Sequence, residues 1–229
     1  VNLVIEKADP VFDLKDTEVL YNGSDNFVVV ENNQNVDYIS VIRTENGINL
    51  ILTDGLKDLA DYLGDEVYNL SSFENAMNDV INAFETYKLE SEFISKLLEV
   101  IKTIDNNMVY KITINGSNPV EAGEYKVYAV TVPNENYGVD VSEATLIINP
   151  IKIVISVDNK EISLGENPKF TYTIVEGGLV NGDEMAVEFT KGYDINNVGI
   201  YDITALVTAG DSYDITVIPG VLKVNPLNI

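Results

Sequence analysis

The side chains that could do chemistry in this chain are carboxylates. The 229 residues carry 37 aspartates and glutamates against 14 lysines and arginines. Two close pairs, Asp183-Glu184 and Glu90 with Glu92, are of the type that glycoside hydrolysis uses, one acid giving a proton while the other acts on the far side of the bond. That chemistry needs the two groups to face each other across a cleft. Nearness in sequence does not build one, and so many acids make close pairs inevitable. Histidine and cysteine are absent, which removes the commonest general base, imidazole and thiolate metal sites, thiol nucleophiles and disulfides. The turns YNGSDN (21–26) and NGDE (181–184) lack the full spacing of a calcium loop and read as solvated turns. We expect no enzyme, no cofactor and no metal centre.

Two other chemistries are open to these residue types. With 13 tyrosines and no tryptophan, a sugar-stacking surface would have to use tyrosine. Tyr62, Tyr68, Tyr87, Tyr128 and Tyr193 are candidates, each with packing as the plainer role. An internal amide between Lys15 or Lys152 and Asn149 or Asn225 would need a neutral amine and a protonated acid together in an apolar core. Each asparagine precedes a proline, where a turn accounts for it equally well. The net charge of −23 opposes nucleic acid and anionic membrane surfaces. No apolar run approaches the ~18 residues of a membrane span.

The elements that must position these residues are written twice. EAGEYKVYAVTVPNENYGVDVSEATLIINP (121–150) aligns without a gap on NVGIYDITALVTAGDSYDITVIPGVLKVNP (197–226), so that Gly123, Tyr125 and Tyr137 return as Gly199, Tyr201 and Tyr213. A repeat of this size is domain-scale. Tyr201, Ile203, Ala205 and Val207 alternate with polar or outward residues, a strand with one buried face. Gly123 and Gly199 precede their tyrosines where a turn with positive φ is expected. These six residues are the structural positions singled out. Gly-x-Tyr-x-apolar resembles the tyrosine corner of immunoglobulin-type sandwiches, with Val127 and Ile203 where an antibody domain has its second cysteine. The fold class expected is mainly β: two tandem small immunoglobulin-like sandwiches, 1–150 and 151–229.

In order, residues 1–9 read as the closing strand of a preceding repeat, and the chain as a piece of a longer polypeptide. Residues 11–53 are strand-like, punctuated by Asn22-Gly23 and Asn46-Gly47 turns. Residues 54–106 break the pattern. Apolar positions recur at helical spacing from Phe73 to Phe84 and from Phe93 to Ile104, which predicts two helices broken near Lys88–Ser91, or one long helix. We read this as an α-helical insertion into the first unit, its apolar stripe buried against the sheet or offered to a partner. A β-grasp-like fold, with a helix laid across a mixed sheet, is the alternative. Residues 151–226 predict about six short strands.

The motifs ISLGENPKFTYTIVEGGLVNGD, NNVGIYDITA and DSYDITVIPGVLKVNP of the second unit resemble the MBG/YDG-type repeats of bacterial cell-surface proteins. Leu164-Gly165 stands at the family's Tyr-Gly, and Ser212-Tyr213 at its Asn-Tyr. Tyr21-Asn22-Gly23 and the tail 107–150 carry the likeness into the first unit, whose helices depart from it. The resemblance implies an extracellular bacterial surface protein, a monomer within a longer multi-repeat chain, acting as the stalk or spacer of an adhesin. The alternative, which rests on the helical insertion and the tyrosines themselves, is an adhesive module that binds a host glycan or matrix protein through that insertion or through exposed tyrosines.

Overall fold

The computed structural model describes residues 6–44, 47–63, 67–69, 78, 81–82, 84–86, 88–104, 111–180, 182–190 and 192–227. The chain is mainly β, 47% strand and 15% helix. It forms two compact units. Unit 1 comprises residues 1–19, 25–120 and 124–148, and unit 2 comprises 149–229 together with the short stretches 20–24 and 121–123.

Unit 1 is built on a seven-stranded sheet. Its strands are β2 (Thr17–Leu20), β4 (Tyr38–Thr44), β5 (Gly47–Leu52), β6 (Val67–Asn69), β7 (Lys111–Ile114), β8 (Gly123–Thr131) and β9 (Val141–Asn149), in the spatial order β2-β9-β8-β4-β5-β7-β6. β1 (Phe12–Lys15) and β3 (Val29–Asn32) pair separately and antiparallel. β5 and β7 run parallel, Ile48 opposite Ile112 and Leu50 opposite Ile114. A parallel pair cannot be joined by a tight turn; the chain must cross over, and a helix is the usual means. This crossover carries a 3₁₀ turn (Asp54–Leu56), helix α1 (Lys57–Leu63), helical residues at 81–82 and 84–86, and helix α2 (Ser91–Ile104). The close approach of β7 explains Gly47: at φ +140°, a Cβ there would sit 2.2 Å from the Lys111 carbonyl oxygen.

The helices and the sheet share one core. Period-two alternation turns Ile39, Val41, Ile48, Leu50, Ile112 and Ile114 to one face, where they meet Leu59, Phe84, Phe93, Leu97 and Ile101, all 0–1% exposed. The rings of Phe84 and Phe93 meet edge-on at 6.4 Å and 84°. On the opposite face Phe12 packs on Tyr38 at 5.0 Å, and Leu14, Ile42, Val127 and Leu146 are buried. The predicted break between the helices is present. The Leu89 amide bonds to the Phe84 carbonyl at 3.2 Å and the Lys88 amide to that of Glu85 at 3.0 Å, with Lys88 at φ 62°. That is the Schellman termination, made here without its usual glycine. The insertion is therefore a structural layer of unit 1. Helices across a mixed sheet are also the mark of the β-grasp-like alternative.

Unit 2 is a small sandwich of two three-stranded sheets sharing one core. The first has β10 (Ile151–Val157) between β12 (Tyr172–Glu176), antiparallel, and β16 (Tyr213–Ile218), parallel. The second has β17 (Gly220–Asn225) between β11 (Lys160–Ser163), parallel, and β14 (Gly199–Ile203), antiparallel. The tyrosine-led strand expected to run unbroken divides at Thr204. It continues as β15 (Ala205–Thr208), which pairs with β13 (Ala186–Phe189). Thr190 causes the switch: its hydroxyl accepts the Thr204 amide at 3.3 Å and donates to the Thr204 carbonyl at 3.1 Å. Val157, Ile162, Ile203, Leu222 and Val224 form the buried centre, with Phe170, Phe189, Tyr193 and Tyr201 packed around it.

If the helices belong to the core, Phe93→Ala should cost about 3–5 kcal/mol, the range for a buried aromatic. A urea unfolding curve followed through the unit 1 transition measures it, and a cost under about 1 kcal/mol would place Phe93 outside the core. Lys88→Gly should instead stabilise by roughly 0.5–1 kcal/mol, since glycine adopts positive φ without a Cβ penalty.

Candidate functional site

The most constrained polar cluster of unit 2 is built on Asp183. β12 ends at Gly177, where φ is 75° and a Cβ would lie 2.0 Å from the Lys152 carbonyl oxygen, so only glycine lets the chain leave β10 at this angle. The loop that follows, GLVNGD, turns at Gly182 (φ 76°) and closes with the Asp183 amide on the Val180 carbonyl at 2.9 Å. This aims the Asp183 carboxylate at two tyrosines. Its Oδ2 accepts the Tyr213 hydroxyl at 2.5 Å and the Tyr21 hydroxyl at 2.9 Å. The Tyr213 hydroxyl in turn accepts the Val180 amide at 3.0 Å. The two rings meet edge-on at 5.5 Å and 83°.

Tyr21 is 6% exposed and Tyr213 9%, so each hydroxyl would be costly to bury unpaired. Burial pushes the Tyr21 phenol up to about 12, with the hydrogen bond to Asp183 adding to it. Tyr213 is raised by the same two causes. Beside it Ser212, 1% exposed, donates its hydroxyl to Glu121 at 2.7 Å and accepts the Ala122 amide at 2.8 Å. The cluster thus fastens a loop and residues 20–24 and 121–123 into the unit.

The other predicted positions fall as follows. Tyr201 forms the tyrosine corner, its hydroxyl donating to the Asn197 carbonyl at 2.9 Å, with its ring half-buried against the core. Gly199 opens β14, and the expectation of positive φ is corrected: neither Gly199 nor Gly123 adopts it. A Cβ at Gly199 would touch the Tyr201 ring at 3.4 Å, so this glycine makes room for a ring. Gly123 opens β8, and Tyr125, the repeat partner of Tyr201, is half-buried within it. Tyr137, the repeat partner of Tyr213, is half-buried in a loop where its amide and that of Asn136 both bond to Asn134 Oδ1 at 2.9 Å.

Glu184 is exposed beside the committed Asp183. Glu90 and Glu92 are both exposed, and Glu90 meets Lys7 at 2.6 Å. Among the described residues no three acidic side chains are grouped to hold a metal. Of the ring candidates, Tyr62 is 57% exposed on α1, Tyr128 packs on the unit 1 core, and Tyr193 packs edge-on to Phe170 at 5.3 Å. The Tyr68 side chain and Tyr87 lie outside the described residues. Lys15 and Lys152 sit in surface ion pairs with Asp13, Glu31 and Glu176, and the pair with Asp13 keeps the Lys15 amine charged by raising its pKa. A charged, solvated amine does not form an amide. One cleft in unit 1, lined by Asn26, Phe27, Tyr38, Ser40 and Asn118, holds about 50 Å³, room for a few waters and far below a typical ligand site.

Residues 153–223 match the family model of the MBG domain (YGX type). The MBG match spans the Asp183 loop and Tyr213, so the Gly-Leu-x-x-Gly-Asp and closing Tyr motifs meet at one carboxylate. No curated protein matches the chain in sequence. Among solved structures the chain is similar to fibronectin(III)-like modules of Clostridium thermocellum CbhA, at 12% identity and a TM-score of 0.27, over 94% of this chain and 95% of that one. It is similar to the N-terminal four Ig domains of Dscam1 isoform 4.44, at 10% identity and a TM-score of 0.27, over 97% and 48%. It is also similar to EC1-2 of human protocadherin-24, at 9% identity and a TM-score of 0.23, over 95% and 99%.

Sequence reasoning weighed Asp183 as half of an acid pair and missed its structural role. The available signal was its place after Gly182, in a loop that had to turn back toward the Ser212-Tyr213 motif. A phenol bound more tightly as the neutral form in the folded state (about 12 for Tyr21) than at its ordinary value of about 10 stabilises the fold fully below pH 10. That contribution is lost as pH rises from about 10 toward 12. Unfolding free energy measured across this window should fall, and fall less steeply in Tyr21→Phe. At neutral pH Tyr213→Phe should cost about 1.5–3 kcal/mol, as for a hydrogen bond to a charged group.

Proposed function

We propose that the chain is a non-catalytic spacer segment of an extracellular, surface-anchored bacterial protein, in which repeat units of this kind hold a terminal adhesive region away from the cell. The observation that carries this reading is the MBG match over 153–223, in a unit whose distinctive polar residues are spent on holding the unit together. The described cleft of unit 1 is too small for a sugar ring, and Glu184, Glu90 and Glu92 are exposed at the surface. Among the described residues no helix is long and apolar enough to cross a membrane. Within this reading the segment works as a monomer in a longer chain.

The adhesive alternative is favoured by one observation, the 57% exposure of Tyr62 on α1. The apolar stripe of α2 no longer supports it, because Phe93, Leu97 and Ile101 are buried. Immobilised glycans and matrix proteins, probed with the full chain, separate the two. The spacer reading expects no saturable binding below about 1 mM, the weak end of specific affinities. Saturable micromolar binding that Tyr62→Ala removes would establish the adhesive reading in its place.

A further inference from the structure

The first and last segments of unit 2 run side by side in the same direction. β10 pairs with β16 in parallel from Ile151↔Tyr213 to Ser156↔Ile218, and β11 pairs with β17 in parallel from Lys160↔Leu222 to Ser163↔Asn225. The partners stand 62 residues apart throughout, so the two ladders are one pairing that passes from the first sheet to the second without slipping. At the crossing the Asn159 side-chain oxygen accepts the Val221 amide at 2.8 Å. Gly220 lets the chains meet there, because a Cβ would lie 2.4 Å from the Val157 carbonyl oxygen. The Ile151 amide on the Ser212 carbonyl and the Leu164 amide on the Asn225 carbonyl, both at 2.9 Å, close the two ends.

Unit 1 repeats the arrangement. Ala8 bridges Tyr137 in parallel, the Leu14 amide bonds to Ser142 Oγ at 2.9 Å, the Thr145 amide bonds to Asp16 Oδ1 at 2.8 Å, and β2 lies beside β9. Tyr137 and Tyr213 are repeat partners, and each pairs with the N-terminal segment of its own unit. Direction decides what such a pairing does under tension. In parallel strands the N-terminus of one and the C-terminus of the other lie at opposite ends, so pulling on them slides the strands along their length. The evenly spaced bonds of a parallel ladder are then loaded together, whereas pulling both strands from a shared end opens the bonds one at a time. We propose that unit 2 is a shear clamp, its terminal pairing resisting tension applied along the chain, and that the repeat carries the same device into unit 1. The clamp follows from the topology; its use, in carrying tension between a cell and its attachment, rests on the spacer reading.

The test is single-molecule force spectroscopy on the full chain, whose lack of native cysteine lets introduced cysteines set the pulling points. Pro150→Cys with Leu227→Cys loads the pairing of β10–β11 with β16–β17 in shear. Asn167→Cys with Leu227→Cys pulls β11 and β17 from the end they share. All three positions are exposed, and an unchanged melting temperature checks that each variant folds. At one loading rate the shear direction is expected to unfold unit 2 at about twice the force of the other direction or more, since forced unfolding reports the unfolding rate rather than the equilibrium stability. Equal forces, or a lower force in shear, would overturn the clamp and leave the spacer reading standing. Saturable glycan binding by the full chain would overturn the spacer reading and leave the difference between the two forces intact.

Discussion

A single carboxylate sharing two buried phenols organises unit 2. Its buried apolar residues include Ile153, Ile155, Val157, Ile162, Ile203, Leu222 and Val224, none of them from the loop after β12, whose conformational entropy must be offset by other contacts. The Asp183 bonds to Tyr213 and Tyr21 offset that by tying loop, strand and the 20–24 stretch to one point. Such a network is worth most when every member is satisfied, and here the Val180 amide closes it. Gly177 and Gly182 follow from this constraint, because the loop reaches the tyrosines only through two positive φ angles.

Unit 1 solves the same problem with mass. The parallel register of β5 and β7 demands a long crossover, and the crossover is used to cover one face of the sheet. Phe84, Phe93, Leu97 and Ile101 are sealed against Ile48, Leu50, Ile112 and Ile114. A helical segment that looks like ornament in the sequence is thus half of a core. Within α2, Phe93, Leu97 and Ile101 are taken up by that core.

Elements governed by local periodicity were legible in the sequence: the alternating tyrosine-led strand, the two-helix break at Lys88, and the mainly β class. What depends on partners distant in the chain was not. Nothing local distinguishes parallel from antiparallel pairing of β5, nor reveals that Thr190 diverts the strand at Thr204. Gly199 was expected to supply conformational freedom and instead supplies space for the Tyr201 ring. Asp183 carried two chemical meanings, catalytic acid or anchor, and only the positions of Tyr21 and Tyr213 separate them.

The distinctive polar cluster of unit 2 is directed inward, onto its own loop and strands. The most direct test of that account is amide hydrogen exchange at Val180, a loop residue with a buried phenol as its acceptor. The account predicts exchange as slow as in the adjoining β16, falling to loop-like rates in Asp183→Ala. Fast exchange at Val180 in the unaltered protein would show that the Asp183 cluster does not hold the unit closed.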